Sequence, residues 1–490
     1  MSHTFKCVLP IIIGLIVYGL QFVVGLPDGI TPNQWLYFSI FMGVIVGLIL
    51  EPIPAALIGL MGIVVAVLCK VGPKGSGALD AKITSAAAIK WGLEGFSNTI
   101  IWLIFAAFMI GIGYSKSGLG KRIALILVSR LGKTTLGLGY AIAIVDGILA
   151  PFIPSNAARS GGTLYPIISS IPEMFGSKPN DPSTRKIGAY LAWTALATTC
   201  VSSSIFLTGQ APNALAVNVA AQSGVHAPSW GGWFIALLPV SVITFLLTPY
   251  LAYKIYPPEI KKAEDVATWA ASELSKLGGI TKKEIAMGLI SLGGLVLWVG
   301  AKQFGVNATT TAIMVIIAMI LTGILKWDDI LSNKPAWNVL VWFGTLVTLA
   351  GGLNNTGFLK YLGGVFSGAL GSIEPLYAIV GLILIFYYIH YFFASGTAHV
   401  TALLGVFIAI ASGISGYDAS VITLLILLPM GFMGVLTPYG TGHSPLWFAS
   451  GYIPTSDFWR LGAIFGTIYM IIYLVVGLPW VLFVAKDFAF

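Results

Sequence analysis

Pro154-Ser155-Asn156-Ala157-Ala158-Arg159 places three polar side chains, one of them a full cation, inside a sequence otherwise written for lipid. About 240 residues later the chain reads Ala394-Ser395-Gly396-Thr397-Ala398-His399, so Ser155 matches Ser395 and Arg159 matches His399 at one common offset. The flanks agree as well: Ser115-Lys116-Ser117-Gly118-Leu119-Gly120-Lys121 precedes the first stretch and Asn354-Asn355-Thr356-Gly357-Phe358-Leu359-Lys360 the second. That is an internal duplication. Matched interruptions in corresponding positions of two halves of a polytopic membrane chain point to a transport site.

The composition sets the class. Hydrophobic residues make up 57% and charged residues only 9% of the chain, against about 25% charged in an average soluble domain. Apolar runs of roughly 17 to 25 residues recur along the whole length, each enough to cross the hydrocarbon layer as a helix, whereas a membrane barrel needs short alternating segments. The expected class is an all-α polytopic membrane protein. The net charge of +8 comes from 26 basic residues strung through loops rather than gathered into a stripe, which fits membrane topology and anionic lipid and not nucleic acid. Cys7, Cys69 and Cys200 are far apart and odd in number, so neither disulfide, metal site nor cofactor is expected. The first apolar run has no cleavage signal after it and no Arg- and Ser-rich leader before it. It reads as a retained helix of a bacterial cytoplasmic (inner) membrane protein.

Hydropathy and turn residues divide the chain into scaffold helices over about 1–96, a first repeat over 97–253, a connecting region with a loop over 254–284 and further helices to 337, and a second repeat over 338–490. A loop is expected from Val71 to Phe96. Within the first repeat, two short segments flank Pro154, about 136–172, and basic residues stand at both outer ends: Lys133 before, and Lys178, Arg185 and Lys186 after. A re-entrant hairpin entering from the cytoplasmic side satisfies both facts; two ordinary short helices joined by an outside turn are the alternative. The next apolar stretch, about 187–225, is broken at Thr208-Gly209-Gln210-Ala211-Pro212-Asn213. The second repeat shows a hairpin over about 375–412, a broken helix over about 418–450 interrupted at Thr437-Pro438-Tyr439-Gly440-Thr441-Gly442, and a last helix. Counted from a cytoplasmic N-terminus, with the lysines of 254–284 inside, the chain makes about eleven spans plus the two hairpins and ends outside. The two repeats then run in opposite senses and their hairpin tips meet near the midplane.

The chemistry of those tips follows from helix ends. Ser155 and Ser395 stand where helices begin, so their hydroxyls can cap while the free N–H groups beyond them face the centre. Two opposed helix N-termini suit a ligand with two carboxylates better than one with a single charge. Asn156 and Thr397 add donors. Arg159, one helical turn from Ser155, is expensive in an apolar hairpin and marks either a cavity or an ion pair, for which Asp146 is the counter-charge. His399 holds the equivalent place in the second half, as a site residue or as a packed neutral histidine. His390 fits an interior hydrogen bond, and His443 follows the second break.

These features resemble the divalent anion/sodium symporter family, which carries di- and tricarboxylates and sulfate. The likeness covers nearly the whole chain and rests on Ser155-Asn156-Ala157, Ser395-Gly396-Thr397 and the two breaks, where the family has Ser-Asn-Thr signatures and Thr- and Pro-containing interruptions. It implies two inverted repeats, a homodimer, an elevator-like transport domain and substrate contacts from Ser155, Asn156, Ala157, Ser395, Gly396, Thr397, Thr208, Gly209, Pro212, Asn213, Thr437, Pro438 and Gly440. Ala157 and Gly396 depart from the signatures, which sets the chain closer to exchangers of the citrate/succinate and 2-oxoglutarate/malate type than to sodium-coupled symporters, the alternative. Arg159 and His399 would then stand in place of sodium, compensating a dianion with fixed charge. Two remote rivals are an anion channel and an intramembrane serine protease, the latter from Ser395-Gly396 with His399 four residues on.

Overall fold

The computed structural model describes residues 3–50, 52–370 and 373–485. Among them the chain is all-helical, with one isolated antiparallel bridge, Thr134 to Lys262, and no strand. Among the described residues, seven helices are long and apolar enough to cross a membrane, and five shorter apolar helices of 10–17 residues accompany them. About eleven crossings are expected; the shorter apolar pieces are Ala55–Leu68, Thr135–Leu149, Ala308–Leu321, Gly396–Ala411 and Ala419–Val435. The expectation that the chain ends outside falls on Phe490, which lies beyond the described residues.

The N-terminal helices are α1 (His3–Val23), α2 (Pro32–Leu50) and α3 (Ala55–Leu68). The segment expected as a loop from Val71 to Phe96 instead contains a helix, Ser85–Gly92, capped by the Thr84 hydroxyl on the N–H of Ala87, and a 3-10 turn, Glu94–Ser97. Next come α4 (Thr99–Ser117), α5 (Leu119–Leu131) and α6 (Thr135–Leu149). After the first hairpin the chain runs through α7 (Gly188–Ile205), α8 (Ala211–Gln222) and α9 (Trp230–Ile255).

The lysine-rich segment 254–284, expected as a loop, holds α10 (Glu264–Lys276). Its acidic first turn, Glu264 and Asp265, and its basic last turn, Lys276, complement the helix dipole. Its buried face, Val266, Ala267 and Ala270, packs on α5. Arg122 of α5 closes the joint: its Nε donates to Glu284 Oε1 at 2.6 Å and its Nη atoms reach the carbonyls of Leu277, Gly278 and Gly279.

The second half comprises α11 (Lys282–Val299), α12 (Ala308–Leu321), α13 (Lys334–Asn355), α14 (Phe358–Leu370), α15 (Pro375–Tyr388), α16 (Gly396–Ala411), α17 (Ala419–Leu427) and α18 (Thr455–Ile472), which continues through a π turn to Val484. Two apolar cores result. The smaller joins α2 and α3 to α13 and the start of α14 through Tyr37, Phe41, Ile58, Leu346, Leu349 and Phe358, with the Tyr37 hydroxyl donating to the Leu349 carbonyl at 2.6 Å. The larger takes in most of the remaining helices. At its centre stands α7, every residue of which is buried. By contrast α1 buries none.

Candidate functional site

Two helical hairpins and two helix breaks converge beside α7. The first hairpin descends through α6, turns over Ala150–Ser155 and returns as an irregular limb. Helical turns at Asn156–Arg159 and Tyr165–Ile168 flank a π turn at Ser160–Leu164, and a last turn spans Ile171–Met174. The sequence explains the irregularity. Pro166 has no N–H to give the carbonyl four residues back, and Gly161-Gly162 is a poor helix former, so the Tyr165 N–H reaches Ser160 O in a π bond. The second hairpin turns through a 3-10 segment, Ile389–Phe392, and returns as the regular α16.

Both return limbs begin with the caps expected of them. Ser155 Oγ accepts from the N–H of Ala158 at 3.1 Å and Ser395 Oγ from that of Ala398 at 3.4 Å. Ser155, Ala157, Ser395 and Gly396 are only half-buried, and Ala158 and Ala394 are exposed, so each tip presents an accessible edge. The Ser395 hydroxyl serves its own helix, and His399 is held by His390, so the serine and histidine do not form a nucleophilic dyad.

At the first break α7 stops at Ile205 and α8 restarts at Ala211, with Pro212 in its first turn where a missing N–H costs nothing. Asn213 spans the gap: its Nδ2 donates to the carbonyls of Ser203 and Phe206, at 2.7 and 3.1 Å, and its Oδ1 accepts from Gln210 Nε2 at 2.9 Å. Gly209 is required by close approach, because a Cβ there would lie 2.8 Å from the Ser202 carbonyl and 2.9 Å from that of Ser203. Thr208 is structural, donating to the Pro151 carbonyl at 2.6 Å and accepting from Trp230 Nε1 at 3.1 Å.

The second break differs from the single interrupted helix expected over 418–450. After α17 the chain tightens into a 3-10 segment, Leu428–Val435, before an open turn and a short helix, Ser444–Ala449. Pro429 ends the α pattern. Gly431 lets the backbone close on α7, where the Phe432 N–H meets Ser204 Oγ at 3.1 Å and a Cβ on Gly431 would sit 2.4 Å from the Ser204 nitrogen.

The four stretches touch one another. Asn156 Nδ2 donates to Thr441 Oγ1 at 2.7 Å and approaches Gln210 Oε1 at 3.3 Å, tying the first tip to both breaks. Gly442 closes on Asn156 and Ala157, and Gly396 on Pro212. Thr397 is buried behind the second tip, with its carbonyl accepting from Thr401. Pro438 lies in the open turn between Thr437 and Gly440.

Of the two readings open for Arg159, the structure shows the ion pair with Asp146. Fully buried, Arg159 gives Nε to Asp146 Oδ1 at 2.9 Å, Nη1 to the carbonyls of Ile153 and Gly209, both at 2.8 Å, and Nη2 to the hydroxyls of Ser202 and Ser203, both at 3.1 Å. All five N–H bonds of the guanidinium have protein partners. It offers no donor to a substrate in this conformation, and Asp146, which also accepts from Ser202, neutralises it. Arg159 instead occupies the carbonyls at the turn and first break, as a bound cation would.

His399 is held through one nitrogen: the ring is buried, stacked on Phe393 with centroids 4.9 Å apart, and bonded through Nδ1 to His390 Nδ1 at 3.0 Å. The group that reaches the second break is His390, whose Nε2 lies 2.8 Å from the Gly440 carbonyl. His443 turns to α7, its Nε2 3.1 Å from the Leu196 carbonyl and 3.6 Å from Cys200 Sγ. Sequence reasoning missed Ser202 and Ser203, and placed Gln210 and Thr441 in the breaks without singling them out. The Ser202-Ser203-Ser204 run inside an apolar helix was the available signal, since consecutive hydroxyls buried in a membrane need polar partners.

The chain is similar to known proteins in sequence and in fold. The model of the sodium:sulfate symporter transmembrane region matches residues 2–485. The L-tartrate/succinate antiporter of Escherichia coli (strain K12) is 44% identical over 470 residues, covering 95% of this chain and 96% of its own, and the Shigella flexneri antiporter of the same name matches equally. Among solved structures, the Alcanivorax borkumensis YdaH transporter superposes with a TM-score of 0.58 at 12% identity, covering 88% of this chain and 98% of its own. Neisseria gonorrhoeae MtrF gives 0.56 at 14% identity, with 94% and 97% covered. Those two likenesses concern the fold alone. This chain is a multi-pass membrane transport protein rather than an enzyme, and it belongs to the divalent anion/sodium symporter family.

Proposed function

We propose that this protein exchanges di- or tricarboxylates of the tartrate, succinate, malate, 2-oxoglutarate and citrate class across the bacterial inner membrane, independently of sodium. One observation carries the reading: two capped helix starts converge with two helix breaks, and the break carbonyls at Gly209 and Gly440 are already filled by Arg159 and His390. A sodium ion needs such oxygens. Here protein N–H groups take them. The N–H groups at the starts of the two return limbs, with Thr397 beside the second, supply the positive potential for two carboxylates, and Asn156 holds the first tip against both breaks. None of these donors can dissociate, so an empty carrier would cross with its polar groups unpaired, and exchange follows in place of net flux. The 44% identity to L-tartrate/succinate antiporters supports the same substrate class.

In this reading the hairpins are re-entrant, 97–253 and 338–490 form two inverted repeats, and the sequence makes eleven crossings from a cytoplasmic N-terminus. The smaller core around α2, α3 and α13 belongs to a fixed scaffold against which the hairpins and breaks move as an elevator. The unburied α1 fits an outer position toward lipid or a second copy in a homodimer.

Counterflow in proteoliposomes tests the function: labelled succinate or tartrate should accumulate only when unlabelled dicarboxylate is trapped inside, with or without sodium. Uptake into empty liposomes driven by a sodium gradient would overturn the reading in favour of symport. Cysteine at position 276 should be modified only from the cytoplasmic side; modification from outside would overturn the inverted topology.

A further inference from the structure

The hydrogen-bond chain from the second break into the second hairpin has a direction fixed by its far end. The Gly440 carbonyl can only accept, so its 2.8 Å contact places a proton on His390 Nε2. In the neutral ring Nδ1 is then a lone pair, and the 3.0 Å bond to His399 Nδ1 must be donated by His399. That leaves His399 Nε2 as a bare acceptor. It is buried and has no partner among the described residues. The ring packs against Phe386 and Phe393, with centroids 4.4 and 4.9 Å away, neither of which carries a donor.

A second vacant polar atom lies at the other end of the chain. Thr437 Oγ1 is buried without a partner, and it borders the same glycine: a Cβ on Gly440 would be 2.8 Å from Thr437 Oγ1 and 3.1 Å from His390 Nε2. Carboxylates have no use for a lone-pair acceptor. A hydroxyl group does.

We propose that His399 Nε2 accepts a hydrogen bond from a hydroxyl of the transported dicarboxylate, so that the carrier favours 2-hydroxy-dicarboxylates over their unsubstituted counterparts. His390 and the Gly440 carbonyl are positioning groups: they hold His399 in the accepting tautomer. The proposal rests on the dicarboxylate reading above and refines it. Charge is read by the helix ends, whereas the hydroxyl is read by the histidine pair.

Malate and succinate test this, since they share four carbons and two carboxylates and differ by one hydroxyl. In proteoliposome exchange the wild-type KM for malate should be about tenfold below that for succinate, because a site built around a hydroxyl discriminates against a ligand that leaves its polar group unpaired. In His399→Phe the ratio of the two KM values should collapse to within about twofold of one. His390→Phe should collapse it too, and His390→Gln, which keeps a donor and an acceptor on one planar group, should restore part of it. Equal wild-type KM values overturn the proposal while leaving dicarboxylate exchange intact, and they decide the matter even if His399→Phe fails to fold. An unchanged ratio in folded His399→Phe overturns it equally. Counterflow of neither substrate in the wild type would overturn the transport reading and this refinement with it.

Discussion

The two hairpins descend from one sequence pattern and hold their equivalent residues in opposite ways. In the first, the residue one turn past the capping serine is Arg159, clamped by an aspartate, two carbonyls and two hydroxyls. In the second it is His399, held through one nitrogen by another histidine and otherwise packed in aromatic rings. The first hairpin's arginine has every donor paired, to its own limbs, to α7 and to the first break; the second keeps one atom in reserve. In the proposed reading, one of the two matched helix starts serves as an anchor and the other as a reader.

The most damaging way to probe the anchor is to strip its counter-charge. Asp146→Ala should cost about 3 to 5 kcal/mol, because it leaves a buried guanidinium uncompensated. Thermal unfolding in detergent would show it. Removing both charges in Asp146→Leu/Arg159→Met should recover much of that stability, since a buried pair is often replaceable by apolar residues of similar volume. The double variant should still fail to exchange, because the carbonyl of Gly209 loses the cation that fills it. If it exchanges at the wild-type rate, the anchor has no part in transport. Arg159→Lys should rescue exchange only in part, since an ammonium keeps the charge but not the planar fork that reaches Asp146, Gly209 and the serines together.

At the tips the expected effects are smaller and more alike. Thr397→Ala should weaken substrate binding by about 1 to 3 kcal/mol, the range for a lost hydrogen bond to a charged group, and Asn156→Ala by a similar amount through loss of the bonds that hold the first tip to Thr441 and Gln210. KM values from exchange assays decide it. Equal losses at both positions would mean that holding the first tip in place matters to binding as much as a donor at the second. The smallest effect belongs to the caps: Ser155→Ala and Ser395→Ala should each cost about 1 kcal/mol of stability. The second should be felt more at the substrate, because α16 is an uninterrupted helix of 16 residues whereas the first limb is broken after its first turn.

How much of this was legible in the sequence depended on the range of the interactions. The helix class, the caps at Ser155 and Ser395, the breaks near Pro212 and Gly440 and the Asp146 counter-charge all arise from local pattern or from duplication, and a sequence displays both. The helices Ser85–Gly92 and α10 were hidden because they are short or polar and take their stability from packing, α10 on the distant α5. The saturation of Arg159 was hidden for a similar reason. Its partners Ser202, Ser203 and Gly209 lie over 40 residues away, and only the approach of α7 shows that no N–H is left over. The role of His390 at Gly440, 50 residues distant, needed the same kind of closure.

The π turn at Ser160–Leu164 has a consequence for how the first hairpin behaves on its tip side. A helix containing Pro166 and Gly161-Gly162 has already surrendered ladder bonds, so bending it there breaks few more. Beyond that point toward the tip, the limb is fastened by Arg159 and by the Trp447 Nε1 bond to Ser160 Oγ at 2.7 Å. The segment thus acts as a joint with one clamped end, and deuterium should enter the amides of 161–165 sooner than those of Val400–Leu404 in the unbroken α16. Motion of the first hairpin would then swing its outer end while the tip and its aspartate-bound arginine stay in place.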